Sequence, residues 1–522
     1  MDPIKSRARD RQSVVETARA PQRCRKVQGV RRGPPATTLS AIEHSLRATC
    51  TCLLLFASAS CASLTPVSEV PAPKGAARWY DAPDWKKAGD EAVEVLRAYL
   101  RVDTTNPPGN ETRGAEFMGA VLAREGIPFE IVEHAPGHGN LIARLEGGRE
   151  EPPLCLLSHI DVVTAEAEKW PPGRGPLSGA LEGGFIWGRG ALDMKGMGAL
   201  ELMTMVWLKR LGVPLRRSVV LLAVAGEETD SAGIQYVVDH HWGKIQCSQS
   251  VNEGGLGIKD LLMPGQTVYT ISVAEKGVLW LRMTAHGEAG HGSTPAPGRA
   301  PERLLRAIGK LQARDPDPVI HPSLYDLAAR IGDDAGGIKG FVLEHPALVR
   351  WFVLGKLMES PPARATLFNT VNVTGFSGMK EPNVIPSEVS ATLDCRLLPN
   401  VRPVDLYVEL RKIVGDPLVT FEVLDMQAAN ESSWDDPFFS ALARHAVGGR
   451  PHVVAGPALS PGYTDSLFLR KKGVRAYGFV PFEITQAEMQ GFHGRDERVS
   501  EENVRRGLRA LFGAVVDVAA VR

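Results

Sequence analysis

The sequence predicts an α/β protein: a discontinuous larger domain with helices around a mainly parallel mixed sheet, and a smaller α+β satellite inserted into it. Three observations predict it. Two short, continuously apolar runs, residues 154–158 and 219–225, have the composition of strands covered on both faces. A helical stretch at about 196–211 separates them, which is β-α-β punctuation. Beyond residue 275 the order becomes β-α-β-β-α-β, the split βαβ arrangement.

Each element has its own warrant. Residues 86–101 place Ala92, Val95, Leu96, Tyr99 and Leu100 at i, i+3, i+4, i+7 and i+8, an amphipathic helix. The satellite reads as strand 277–285, helix 299–313, strands 369–376 and 387–396, helix 403–414 and strand 418–424. Residues 315–368 interrupt it and carry Trp351, Phe352 and Leu354, which predicts an ordered insertion. The last helix starts near Ser500, a good N-cap, with Val504, Leu508, Leu511 and Phe512 on one face. The larger domain is therefore expected at 81–274 and 427–522, and the satellite at 275–426.

The N-terminus differs from this body. An Arg-rich stretch leads to Leu53-Leu54-Leu55-Phe56 and then to small residues before Cys61, which reads as an export signal over 1–61. The apolar run is too short to span a bilayer as a helix. The segment resembles a bacterial lipoprotein signal with Cys61 as the lipid attachment point, although Ser58 stands where Leu is usual. The competing reading is an uncleaved N-terminus. Residues 62–80, with Pro66, Pro71 and Pro73, would be a linker.

Composition excludes some classes. Lys plus Arg and Asp plus Glu are 60 each, so the basic excess of a nucleic-acid binder is missing. A hydrophobic fraction of 43% permits a sizeable core. Four of the seven cysteines lie in the leader. Cys155, Cys247 and Cys395 are far apart in the sequence, show no C-x-x-C spacing, and read as buried packing residues.

Five short clusters carry chemistry. His159 follows an apolar strand, the place where open α/β sheets bind ligands, and Asp161 is placed to accept from its second ring nitrogen. Asp193 sits among glycines in Gly188-Arg189-Gly190-Ala191-Leu192-Asp193, just before a helix; it is either an N-cap or a carboxylate bridging two metals. Glu227 and Glu228 follow the second apolar strand, where adjacent carboxylates repel unless a cation or proton neutralises them. One would bind metal and the other take a proton from water. Glu253 lies in Asn252-Glu253-Gly254-Gly255, and His493 in Phe492-His493-Gly494, before the final helix. Each is unremarkable alone. Together, five N/O ligands with one shared carboxylate suit two zinc-like ions, and the lack of a thiolate excludes a structural cysteine site.

At these residues the chain resembles the co-catalytic zinc peptidase family that includes bacterial glutamate carboxypeptidase, aminoacylase-1, succinyl-diaminopimelate desuccinylase and acetylornithine deacetylase. The resemblance runs over about residues 85–520. It rests on His159 to Val163, Gly188 to Lys195, Glu227-Glu228 and Asn252 to Gly255. Val273-Ala274-Glu275-Lys276-Gly277 and the Phe492-His493-Gly494 ending are most similar to the branch of carboxypeptidase S and the N-fatty-acyl-amino-acid hydrolases.

The resemblance implies two zinc ions, with cobalt or manganese as alternatives. His159, Asp193 and Glu253 would hold one ion, and Asp193, Glu228 and His493 the other. Glu227 would be the general base, Asp161 would orient His159, and a cis peptide would follow Asp193. His291, in Gly290-His291-Gly292-Ser293, would stabilise the oxyanion, with His286 as runner-up; in dimeric members this histidine comes from the partner subunit. Arg396 would clamp the substrate carboxylate. Asn383 is either a further contact or a turn residue, and Gly462 and Thr464 would line the substrate pocket. The implied reaction is hydrolysis of an amide beside a free carboxylate, in a C-terminal peptide bond or an N-acyl amino acid, by an exported, periplasmic or membrane-anchored protein. The substrate is the expected partner and nucleic acid is not; a lipid anchor at Cys61 and a homodimer are further expectations. Two alternatives remain open: a biosynthetic deacylase of the acetylornithine or succinyl-diaminopimelate type, and a catalytically inactive binding protein.

Overall fold

The computed structural model describes residues 75–294 and 296–521. The expected export signal, Cys61 and most of the linker lie outside the described residues.

The apolar runs form the centre of a nine-stranded mixed sheet. Leu154–His159 and Arg217–Val224 are buried at every position, as strands covered on both faces must be. The sheet runs Phe129–Ala135, His138–Arg149, Arg217–Val224, Leu154–His159, Gln249–Lys259, Arg475–Ile484, Thr267–Glu275, Asn430–Glu431, with Val453–Ser460 also on Thr267–Glu275. Its middle is parallel and its margins are mostly antiparallel. Alternate residues of one strand feed opposite cores. Leu154 and Leu156 join the core under the helices Trp85–Leu100, Lys195–Arg210 and Glu501–Ala519. Cys155 and Leu157 join the core under Ala232–His240.

The helix ends follow local chemistry. Asp84 accepts the backbone N–H groups of Lys86 and Lys87, and Ser500 accepts that of Asn503, so both cap orphan donors. Lys195–Arg210 is buried through its first fourteen residues, Lys195 to Leu208, because it crosses the middle of the molecule.

A second, four-stranded antiparallel sheet has the order Thr370–Ser377, Glu388–Leu397, Gly277–His286, Val419–Gln427. The helices Ala300–Gln312 and Pro403–Val414 cover one face, giving the split βαβ arrangement the sequence predicts. The segment 315–368 is helical, and its Leu327, Ile331, Leu343 and Val349 pack on Val268 and Val454 of the larger sheet.

The junction between the two sheets is two buried charged residues. Glu275 ends one strand, pairs with Arg470 at 2.9 Å and accepts from Thr464 at 2.7 Å. Lys276 donates to the carbonyls of Ala365 and Phe368 at 2.9 and 2.8 Å. Gly277 then opens the satellite strand. Cys155, Cys247 and Cys395 are buried and free, as expected of packing residues. Cys155 and Cys247, distant in sequence, share one core because the strand after Cys247 pairs beside the strand of Cys155.

Candidate metal centre

The strands Leu154–His159 and Arg217–Val224 end side by side, which brings His159 to the Gly226-Glu227-Glu228 turn. Asp161 is the organiser of that turn. Its carboxylate accepts the N–H groups of Gly226, Glu227 and Glu228 at 3.0, 3.1 and 3.1 Å, and the Asn106 side chain at 3.2 Å. His159 Nδ1 donates to the backbone carbonyl of Asp161 at 2.9 Å, with the Asp161 carboxylate at 3.5 Å. Asp161 therefore orients the histidine chiefly through its main chain and the acidic turn through its side chain. With Nδ1 so engaged, Nε2 faces the carboxylates.

Asp193 is not an N-cap. The helix begins at Lys195 without a side-chain cap, and the Asp193–Met194 peptide is cis, as the resemblance implies. Its two oxygens point to two different histidines. Oδ1 is 3.1 Å from His159 Nε2, and Oδ2 is 3.2 Å from His493 Nε2. Glu253 Oε1 is 3.7 Å from His159 Nε2, and Glu228 Oε1 is 3.2 Å from His493 Nε2. Asp193 thus lies between the His159–Glu253 pair and the His493–Glu228 pair. His159, Asp193 and Glu228 present ligand atoms within 4.8 Å of one another, and so do His159, Glu227 and Glu253.

The electrostatics fit cations here. Burial works against charge on His159, yet Asp161, Asp193 and Glu253 raise its pKa well above the usual range. Bonds to Asp193 and Glu228 push His493 up to about 10. Burial holds the Glu227 and Glu253 carboxyls well above the carboxylate range, reinforced by neighbouring carboxylates. Burial also opposes charge on Asp193, but the two imidazoles keep it ionised. Four carboxylates crowded on two histidines can be neutralised by protons or by metal. Glu228 Oε1 is buried without a well-aligned hydrogen bond, a lone pair that a cation would satisfy.

A supporting shell was missed from sequence. Glu497 is fully buried and its Oε1 accepts the N–H groups of Gly190, Leu192 and Asp193 at 3.0, 2.8 and 3.2 Å. Its Oε2 takes Arg189 at 2.7 Å, and Arg189 donates to the His493 carbonyl at 3.0 Å. One carboxylate thereby fixes both Asp193 and the distant His493. Arg189 lies inside a quoted motif and Glu497 four residues after His493, but opposite charges so far apart in sequence do not announce a pair.

The satellite residues are placed less closely. Arg396 gives its Nε and Nη2 to Asp394 at 2.8 and 3.3 Å, and its guanidinium lies 5.5 Å from the Tyr463 ring and 5.9 Å from the Trp280 ring. Trp280 also donates to Asp394, at 3.0 Å. Tyr463, Trp280 and Asp394 were not foreseen as partners. His291 is exposed on a two-residue strand, and its Nδ1 accepts the Ser293 N–H at 3.2 Å. His286 is bonded to Glu388 and Thr420 on the sheet surface. Asn383 is an exposed turn residue whose carbonyl accepts the Gly292 N–H at 2.8 Å. Thr464 is buried, and its hydroxyl serves Glu275 and Asn252; Gly462 precedes it on the same half-buried loop.

Comparison with known proteins agrees with this geometry. The pattern of peptidase family M20/M25/M40 matches residues 155–517. The chain is 26% identical over 440 residues to the human N-fatty-acyl-amino acid synthase/hydrolase PM20D1, covering 80% of this chain and 86% of that protein. It is 24% identical over 440 residues to aminoacylase-1 of Dictyostelium discoideum, covering 82% of this chain and 97% of that protein. Its fold is similar to the M20 family metallo-carboxypeptidase Sso-CP2 of Sulfolobus solfataricus, with a TM-score of 0.63 at 20% identity over 82% of this chain and 100% of that one. It is also similar to the Bacillus subtilis YXEP protein, described as a dinuclear metal binding peptidase, with a TM-score of 0.51 at 14% identity over 83% and 98% of the two chains. A catalytic sheet that gathers two histidines around a shared aspartate, in a chain matched over most of its length, is that of a metallohydrolase, and the protein belongs to peptidase family M20/M25/M40.

Proposed function

We propose that the chain hydrolyses an amide next to a free carboxylate, in an N-acyl amino acid or at a peptide C-terminus, using two zinc ions. The observation that carries this reading is Asp193, whose two oxygens face His159 and His493 separately. His159, Asp193 and Glu253 would hold one ion; Asp193, Glu228 and His493 the other. The ions would supply Lewis-acid activation of water and of the scissile carbonyl. The relatives named as an N-fatty-acyl-amino acid hydrolase and an aminoacylase support the substrate class.

The residues of the chain divide the remaining work. Glu227 takes the proton of the attacking water and passes it to the leaving amine. Its buried position, which raises its pKa, suits a carboxyl that must hold a proton between these two steps. Asp161 fixes Glu227 by its backbone N–H, so base and ligand are set by one turn. Arg396 receives the substrate carboxylate on its Nη1/Nη2 edge, since Asp394 already takes the Nε side. His291, with Nδ1 accepting from Ser293, carries its proton on Nε2 and donates it to the oxyanion. In this reading 81–274 and 427–522 are the catalytic domain and 275–426 a lid whose closure excludes water. The chain would be exported, with a lipid at Cys61, and a second copy would supply His291.

The test is hydrolysis of a panel of N-acyl amino acids and dipeptides by purified protein, with zinc, with chelator and with Glu227→Gln. Loss of activity on chelation and in the variant is expected. Full activity in chelator, or failure to bind metal, sinks the reading.

A further inference from the structure

The helices between Gly337 and Ala365 are apolar on two faces, and the fold uses one. Gly340, Leu343 and Val349 are buried, the last two against Leu327, Ile331, Val268 and Val454. Ile338 and Phe341, three apart and so on one face, lie on the opposite side and are 85% and 53% exposed. Trp351 and Phe352 are 83% and 68% exposed in the next turns. Ile338 and Trp351 are more exposed than any other large apolar side chain among the described residues. A surface that water alone covers does not ordinarily keep such a cluster.

The charges around it are one-sided. Lys339, Arg350, Lys356 and Arg364 are all exposed, against exposed Glu359 and half-buried Glu344 in the same segment. The whole chain, in contrast, balances 60 basic with 60 acidic residues. Aromatic and aliphatic side chains rimmed by Lys and Arg are the composition of segments that lie in a membrane interface. No helix among the described residues is long and apolar enough to cross a membrane, so such a contact would be peripheral. A second copy is the weaker occupant: a two-fold contact through this face would set the basic cluster against itself.

We propose that the 337–365 face docks on the surface of an anionic lipid bilayer, with Trp351 and Phe352 in the acyl boundary and the four basic side chains at the headgroups. A lipid at Cys61 would tether the chain to the same surface. The inference rests on the exposed face and not on the choice of substrate.

The test uses the full chain carrying Cys61→Ser, which removes the lipid attachment point. It is sedimented with vesicles of phosphatidylcholine, or of phosphatidylcholine with about one third phosphatidylglycerol. Binding to the anionic vesicles is expected, weakening with salt, and falling about tenfold or more in Trp351→Ser/Phe352→Ser. An unchanged thermal midpoint and unchanged hydrolysis of a soluble short-acyl substrate would show that the double variant is folded. Equal sedimentation of both proteins overturns the proposal, as does no sedimentation of either. A fall from dimer to monomer mass in the double variant also overturns it, because the face is then a protein contact.

Discussion

Asp193 shows why the centre is built as it is. A carboxylate with an imidazole on each oxygen can bridge, whereas the N-cap alternative would have turned it toward the helix that begins at Lys195. Asp193, Glu227, Glu228 and Glu253 were legible as candidates only together with His159 and His493, because each acid alone has an ordinary reading. Glu497 was not legible, since its role is to accept three backbone N–H groups, and nothing in sequence marks an acceptor of that kind. Glu227→Gln keeps the volume and removes the base, so kcat should fall about 100-fold to 10,000-fold with metal content unchanged. Single-turnover rates and metal analysis on the same sample check both halves. Asp394 acts through Arg396. Its loss frees the guanidinium to rotate, so Asp394→Asn should raise KM about tenfold while kcat moves little. A substrate amide lacking the free carboxylate should be insensitive to that change.

At the scale of elements, periodicity carried the reading where one face was buried. The satellite sheet was legible strand by strand: Glu388–Leu397 alternates buried and half-buried positions, as a sheet with helices on one side must. The hairpin Phe129–Ala135 with His138–Arg149 was not, because its exposed and charged residues blur the alternation. The central strand Arg475–Ile484 was missed although it is buried almost throughout, because Gly478, Pro481 and Glu483 break its apolar run. Leu393 lies fully buried beneath the satellite helices, so Leu393→Ala should cost about 2–5 kcal/mol, measured by urea denaturation. Cys395 is its neighbour two residues on. Burial pushes the Cys395 thiol up to about 12, against an ordinary value of 9.0. A raised folded pKa means that stability is fully present below pH 9 and is lost as the pH climbs from 9 toward 12, because the unfolded thiol ionises first. Wild type should therefore destabilise over that window more steeply than Cys395→Ala.

At the scale of the whole molecule, the centre is a clasp. Its candidate ligands come from positions 159, 193, 228, 253 and 493, so one small site joins strand ends, a glycine loop and the segment before the last helix. Without a cation these groups neutralise one another by holding protons on His493, Glu227 and Glu253, an arrangement that leaves buried acids crowded together. An ion that binds only the folded arrangement stabilises it by mass action, by about 2.7 kcal/mol at a free concentration one hundred times its Kd. The thermal midpoint should accordingly rise with added zinc and fall with chelator. Asp193→Asn should abolish most of the rise, because both sets lose their shared anion, whereas Glu227→Gln should keep it. Calorimetry across a zinc titration distinguishes these cases: a midpoint that ignores zinc in wild type would mean that these side chains are not a clasp at all. A rise that persists undiminished in Asp193→Asn would place the stabilising ion elsewhere on the chain.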